Sequence, residues 1–228
     1  GSLLSGFQTR GEDMLRYLYD DELTRFPKLR DAMFRDRARQ FRDRLQWDVQ
    51  VDVDGNERDA YDRMNPLYVI WQAADGGHGG SLRFLPTTGG TMVNDHFTHL
   101  TDGVTVRSPF IWECTRFCLG EAAEARVSAA LMLGGLEVGL GFHLSDAVGV
   151  FDARMVRVYR RLGWEPTVLG TSGTGRAAVS VGLWAYDPAL RPALLQKAGL
   201  TDLLSQSWFD RAFGRPMPEP QAAVASGV

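Results

Sequence analysis

The sequence predicts an α/β (α+β) fold, a single domain with a mixed, mainly antiparallel sheet flanked by helices. Three observations carry this. With 228 residues, 44% of them apolar and 11% aromatic, the chain can close a substantial core as one domain. Short β-prone runs recur at 67–73, 80–85, 109–119 and 177–186. Segments with helical periodicity lie between and before these runs, which suits a sheet covered by helices. The domain is taken as residues 1–214; from Arg215 the chain turns Pro- and Ala-rich, and 215–228 is expected to be a disordered tail.

The elements follow in order. Leu15 to Tyr19 reads as an edge strand, and Pro27 opens a helix with Leu29, Met33 and Phe34 on one face. From Arg35 to Trp47 both charge signs alternate around Phe41, Leu45 and Trp47; taken alone, this is a solvated helix face with a few anchors. Val49 to Asn65 is polar and acidic and reads as a loop. Asp75-Gly76-Gly77 joins the strands 67–73 and 80–85 as a hairpin, with Arg83 on the second strand, and Thr87 to Asn94 reads as a glycine-rich loop. Glu121 to Leu136 is a helix ended by Gly139 and Gly141. Ala147 to Phe151 is a short strand, Asp152 caps a further helix, and Gly163 ends it. A last pair of strands, 167–169 and 177–186, brackets a glycine-rich turn.

The run Pro109 to Leu119 carries Glu113 and Arg116 inside a β-prone segment, where a core excludes charge. The strand period of two sends these side chains to opposite faces, so for both to meet one ligand the strand must bulge or end between them. A buried ion pair tying two elements together remains the alternative.

A formal charge of -3 argues against a dedicated nucleic-acid binder, although the cations are nearly all arginine, with Lys28 and Lys197 the only lysines. Arginine favours fixed bidentate contacts to carboxylate or phosphate. Cys114 and Cys118 fall about 13 Å apart on an extended segment, too far for a disulfide, which suggests a reduced, cytoplasmic protein. No charged leader precedes an apolar segment, Gly1-Ser2 reads as an expression scar, and no run is long enough to span a bilayer. His96, His99 and Asp102 resemble a metal site only superficially; without a third ligand at convincing spacing, no metal is expected.

Set together, Arg37, Phe41 and Trp47 in Arg-x-x-x-Phe-x-x-x-x-x-Trp, then Asp59 and Asp62, then Arg83 in Ser-Leu-Arg-Phe, then Glu113 and Arg116 in Glu-x-x-Arg-Phe resemble the acyl-homoserine lactone synthases, whose fold is related to the N-acetyltransferases. The likeness covers roughly residues 15 to 165. Each motif is weak alone; their order and spacing make the set specific. The resemblance implies an enzyme that joins an acyl chain to the amine of S-adenosylmethionine and closes the methionine moiety to a lactone, releasing methylthioadenosine. Both substrates are transient, so no permanently bound cofactor is implied. Partners would be an acyl carrier protein or acyl-coenzyme A, with no nucleic acid and no membrane.

On that resemblance, Phe41, Trp47, Asp59 and Asp62 supply aromatic surface and charge for the sulfonium and adenine, and Arg37 holds the methionine carboxylate. Glu113 is the base, directly or through a water, with Arg116 and Arg83 positioning it and the acidic loop. Arg154, Arg157 and Arg161 form a helix stripe for docking the acidic donor. Phe142, Gly149, Phe151 and Trp164 border the acyl pocket; Gly149, where members preferring 3-oxo chains carry a threonine, predicts a chain without that group, and the aromatic residues suggest a short, branched or aryl one. The acetyltransferase signature Gln/Arg-x-x-Gly-x-Gly/Ala has no clear match, which disfavours an ordinary acetyl-coenzyme A enzyme. Thr115 keeps the hydroxyl that many members carry as serine beside the arginine. Two alternatives stay open: another N-acyltransferase of this fold, and a non-catalytic binding module using the arginine-rich segments.

Overall fold

A computed structural model describes residues 11–214. The tail expected at 215–228 and the Gly1-Ser2 pair read as a scar lie outside the described residues. One seven-stranded sheet forms the centre, in the order β1-β2-β3-β4-β5-β7-β6, with β1 Met14–Tyr19, β2 Leu67–Gln72, β3 His78–Pro86, β4 Ile111–Leu119, β5 Asp146–Asp152, β6 Thr167–Ser172 and β7 Val179–Ala185. All neighbours are antiparallel except β4 and β5. The mixed, mainly antiparallel sheet and its flanking helices agree with the expected fold class.

Sequence chemistry explains the layering. In β2 the continuous Leu-Tyr-Val-Ile-Trp run is buried on both faces: Tyr68 and Ile70 pack with Leu29, Met33 and Phe34 of α1, Pro27–Arg37, while Leu67, Val69 and Trp71 face α3, Arg126–Gly141. Pro27 at the first turn supplies the fixed φ that starts α1. Residues 38–44 then continue as π-helix, with Leu45 N–H bonding the Gln40 carbonyl at 2.9 Å, before Gln46 stops the chain at φ +55°. Such wide turns cluster at functional sites. Here the turn buries Phe41, one of the expected anchors, and Arg37 at the end of α1 is buried too, which corrects the reading of 35–47 as a solvated face at that residue.

Helix α3 begins at Arg126, later than the expected Glu121, and runs past Gly139 to Gly141. Gly139 therefore lies inside the helix and Gly141 is its last residue. A Cβ on Gly139 would lie 2.1 Å from the Tyr186 ring, and one on Gly141 would lie 2.2 Å from Phe209, so each is the seat of an aromatic side chain. The 92–96 segment, expected as loop, forms a short helix, α2 Met92–His96. The chain then adds α4 Val156–Leu162, α5 Arg191–Ala198 and α6 Asp202–Phe213. Sequence reading stopped short of the last two; α5 packs on α3 and α6 on β1. No helix among the described residues is long and apolar enough to cross a membrane.

Candidate active site

The parallel pairing of β4 and β5 runs only from Ile111–Asp146 to Glu113–Val148. Beyond it, β4 loses its ladder partner on that side and Arg116 adopts φ +59°, while the register with β3 shifts between Ser81 and Arg83. The expected break between Glu113 and Arg116 is therefore present. The splayed strands hold two cavities. The larger, about 560 Å³, is lined by Phe41, Trp47, Met92, Phe151, Arg154 and Arg161 among others. The smaller, about 70 Å³, is apolar and lies among Phe84, Met132, Gly135, Gly149, Trp164 and Trp184. Thr115, Arg116, Phe117, Val150 and Tyr159 line both, so the two adjoin at the break in β4.

Against this break, three arginines and three acids close a ring. Arg37 bonds Glu57 at 2.6 Å and Asp62 at 2.8 and 3.0 Å. Arg83 takes Asp59 at 2.7 and 3.1 Å and Asp62 at 3.0 Å, and Arg116 takes Glu57 at 2.8 Å and Asp59 at 3.0 Å. Each charge thus meets two of opposite sign. Asp59 and Asp62 also cap the 60–64 turn reciprocally, Asp59 accepting from Tyr61 and Asp62 N–H while its own N–H donates to Asp62, which explains their spacing of three. Burial works against the Asp62 charge, but Arg37 and Arg83 hold its carboxyl well below the usual carboxylate range. Of the three ring arginines, Arg116 is the one whose pKa is lowered. Burial, then Arg83 and Arg37 against its partner Glu57, lowers its pKa, and its Nη1 has only the Met92 thioether, at 3.9 Å.

Glu113 is 1% exposed and accepts N–H bonds from Met92 at 3.2 Å and Val93 at 2.7 Å. Burial raises its pKa, against the lowering effect of those two N–H groups. It lines neither cavity.

Residues 21–186 match the sequence profile of the family described as autoinducer synthase. The chain belongs to the autoinducer synthase family. An acyl-homoserine-lactone synthase of Rhizobium etli is 45% identical over 202 residues, covering 85% of this chain and 93% of that protein. The structure of a CoA-dependent acyl-homoserine lactone synthase, BjaI, with SAM and isopentyl-CoA matches with TM-score 0.74 at 19% identity, over 88% of this chain and 99% of that one. A putative N-acetyltransferase from Lactobacillus plantarum matches with TM-score 0.54 at 13% identity, over 78% of this chain and 100% of that one, and shares the fold. The family resemblance and the N-acetyltransferase-like fold read from the sequence are thereby borne out.

Within this autoinducer synthase fold the predicted residues separate into groups. Phe41 and Trp47 meet as a tilted pair, 5.1 Å between centroids, on the wall of the larger cavity, and Arg116 sits 5.1 Å over Phe41. Gly149 and Trp164 line the smaller cavity and Phe151 the larger. Arg154 and Arg161 line the larger cavity; Arg157 is exposed and does not.

Three expectations are corrected. Arg37 is 1% exposed and committed to two acids, so it anchors the acidic loop and cannot meet a substrate carboxylate directly. Arg83 and Arg116 hydrogen-bond that loop, with Arg83 also donating to Thr115, whereas Glu113 is held by main chain. Phe142 follows the end of α3 and packs on Trp112 and Phe213, each at 5.0 Å, away from both cavities. Sequence reading also missed Glu57, fully buried and shared by two arginines. Its signal was arithmetic: three arginines were assigned to a site with only two loop acids. His96 packs edge-on against Tyr61, and His99 stacks on Phe97. Burial pushes both free thiols, Cys114 and Cys118, up to about 12.

Proposed function

We propose that this chain is an acyl-homoserine-lactone synthase: it transfers an acyl chain from a thioester to the amine of S-adenosylmethionine and lactonises the product to an N-acyl-homoserine lactone signal. The observation that carries this reading is the junction of the two cavities at the β4 break, where an aromatic-walled space of about 560 Å³, bordered by Arg116, Asp152, Arg154 and Arg161, meets a smaller apolar one of about 70 Å³. A cationic nucleoside suits the first and an acyl chain the second.

The residues divide the work. Phe41 and Trp47 offer π-faces to the sulfonium and adenine. Asp59, partly exposed in the ion ring, adds negative charge. Arg116, through an Nη1 whose partner is only the Met92 thioether, holds the methionine carboxylate in place of Arg37. Glu113 takes the amine proton through a water, or after the 92–93 turn shifts, since its oxygens now cap that turn. The freed amine attacks the thioester carbonyl, and main-chain N–H groups of β4 beyond Glu113 receive the oxyanion as the thiolate departs. In the second step a carboxylate oxygen attacks the carbon next to sulfur, expelling neutral methylthioadenosine; positioning carries that step.

The donor is a phosphopantetheine thioester, free as acyl-coenzyme A or borne by an acyl carrier protein. Arg154 and Arg161 at the cavity wall and Arg157 outside it meet its phosphate or acidic surface. The same reading places the enzyme in the cytoplasm, where both thiols stay reduced.

The test incubates purified protein with S-adenosylmethionine and either donor and reads lactone and methylthioadenosine by mass spectrometry. Equal amounts of both products are expected. An acylated amine without lactone would point to another N-acyltransferase and overturn the reading.

A further inference from the structure

Six buried side-chain polar atoms among the described residues have no hydrogen-bond partner. Four of them, on Tyr17, Asn56, Thr91 and Ser205, belong to residues lining neither cavity. The other two, Trp184 Nε1 and Tyr186 OH, belong to residues that both line the smaller cavity. Two residues on the wall of the mainly apolar smaller cavity thus each carry a buried polar group with no partner, an indole N–H and a phenol hydroxyl. Leaving such groups dry is costly unless a ligand satisfies them.

Both side chains are fixed. Trp184 stands edge-on between Phe151 at 5.5 Å and Tyr159 at 5.1 Å, with its ring against Gly149. Tyr186 lies over Gly139, where a Cβ would come within 2.1 Å of the ring, beside Trp164 at 5.6 Å. Its N–H bonds the Ser145 carbonyl at 3.0 Å. The glycine that might have ended α3 is thus what lets Tyr186 reach the pocket. Burial keeps the Tyr186 hydroxyl protonated, so it remains a donor.

We propose that Trp184 Nε1 and Tyr186 OH form a polar subsite for an oxygen substituent near the thioester end of the acyl chain, selecting 3-oxo- or 3-hydroxyacyl donors over unsubstituted ones. The position follows from size: about 70 Å³ of cavity holds roughly five to seven water-sized atoms, so the oxygen sits on one of the first carbons. A carbonyl accepts from both groups. A hydroxyl accepts from the indole and donates to, or accepts from, the phenol. This reverses the expectation drawn from Gly149, because the donors come from β7 and the residue after it. The identity of the chain rests on the synthase reading.

The test compares coenzyme A thioesters of equal length carrying a 3-oxo, a 3-hydroxy or no substituent, reading kcat/KM for each lactone. Unreactive thioether analogues of the same chains are titrated by calorimetry. Wild-type protein should favour the oxygenated chain about tenfold in both readouts. Tyr186→Phe keeps the ring and Trp184→Phe keeps an aromatic side chain without the N–H, and each should move that ratio toward one. A wild-type binding ratio near one, or a ratio that neither variant moves, overturns the inference. Because the calorimetric arm needs no turnover, absence of lactone from every donor would count against the synthase reading, while the binding ratio still decides this one.

Discussion

Arg116 reaches across 59 residues of sequence to donate an Nη2 hydrogen bond to Glu57 at 2.8 Å, and this contact closes the six-membered ring of charges. Breaking it at Glu57 strands two buried guanidinium groups, Arg37 and Arg116. Removing one partner of a buried pair costs about 3–5 kcal/mol. Glu57→Gln should therefore lower the urea midpoint sharply, whereas Glu165→Gln, at the exposed partner of Arg160, should leave it unmoved. The ring also predicts acid lability. Asp62 has a depressed folded pKa, so its contribution is complete above its ordinary value of 3.8 and is lost as pH falls through the folded value. An Asp62→Asn protein should show a flatter acid limb; a limb as steep as wild type would remove Asp62 from the account.

Glu113 titrates in the opposite sense. Its raised pKa means the folded protein holds its proton more tightly, so stability from this group declines as pH rises through that value. A base must be ionised to act. The acid limb of kcat/KM should then lie above the ordinary glutamate value and disappear in Glu113→Gln, whose rate should drop about two to four orders of magnitude. Near-normal turnover with only a lowered melting temperature would leave Glu113 as the cap of the 92–93 turn and nothing more.

How much of this was legible in the sequence differs from residue to residue. The break in β4 was readable because Glu113 and Arg116 cannot share a face of a regular strand; the β5 ladder ends at Glu113 and Arg116 takes φ +59°, yet only Arg116 lines the cavities. Phe41 was read as an anchor and is buried, whereas Arg37 looked solvent-facing because its buried partners Glu57 and Asp62 lie 20 and 25 residues away. Glu57 was hidden since its partners lie 20 and 59 residues away. Gly139 and Gly141 carry the mark of a helix end, yet only the tertiary contacts with Tyr186 and Phe209 reveal them as seats for rings.

Trp47 contributes one face of the aromatic pair on the larger cavity. Trp47→Ala should weaken S-adenosylmethionine binding by roughly 0.5 to 2 kcal/mol, as expected for a cation over a ring. Calorimetry provides the measurement, and an unchanged affinity would detach the 37–47 segment from the nucleoside.

Arg154 and Arg161 line the larger cavity while Arg157 does not. Reversing the first two to glutamate should raise the donor's KM and flatten its dependence on salt, with a smaller change for Arg157→Glu. Running acyl-coenzyme A and acyl carrier protein side by side separates the sources. A phosphate-only contact affects both donors alike, whereas a docking surface that includes Arg157 affects the carrier protein more. Equal KM values in all variants would return the stripe to a solvated face.

The size of the acyl pocket gives a test on chain length that avoids the charged groups. Its volume of about 70 Å³ favours a short or branched chain, and two glycines border it with different freedom to change. At Gly149 a Cβ would meet the Cys114 carbonyl oxygen at 2.8 Å and the Trp184 ring at 3.2 Å, so Gly149→Ala or Gly149→Thr strains the junction of β4 and β5 and reports on strain as much as on selectivity. At Gly135 the nearest atoms are Phe84 at 3.5 Å and Leu82 at 3.7 Å, ordinary contact distances. An added methyl there fits the helix and intrudes on the pocket. Gly135→Ala should hold or raise thermal stability, since alanine is favoured over glycine inside a helix by about 0.5–1 kcal/mol. It should also shift the donor preference toward shorter chains, read as the ratio of kcat/KM for two unsubstituted donors differing by a few methylenes. A stable variant with an unchanged ratio would mean that the acyl chain does not reach α3, and would move its binding site out of the smaller cavity.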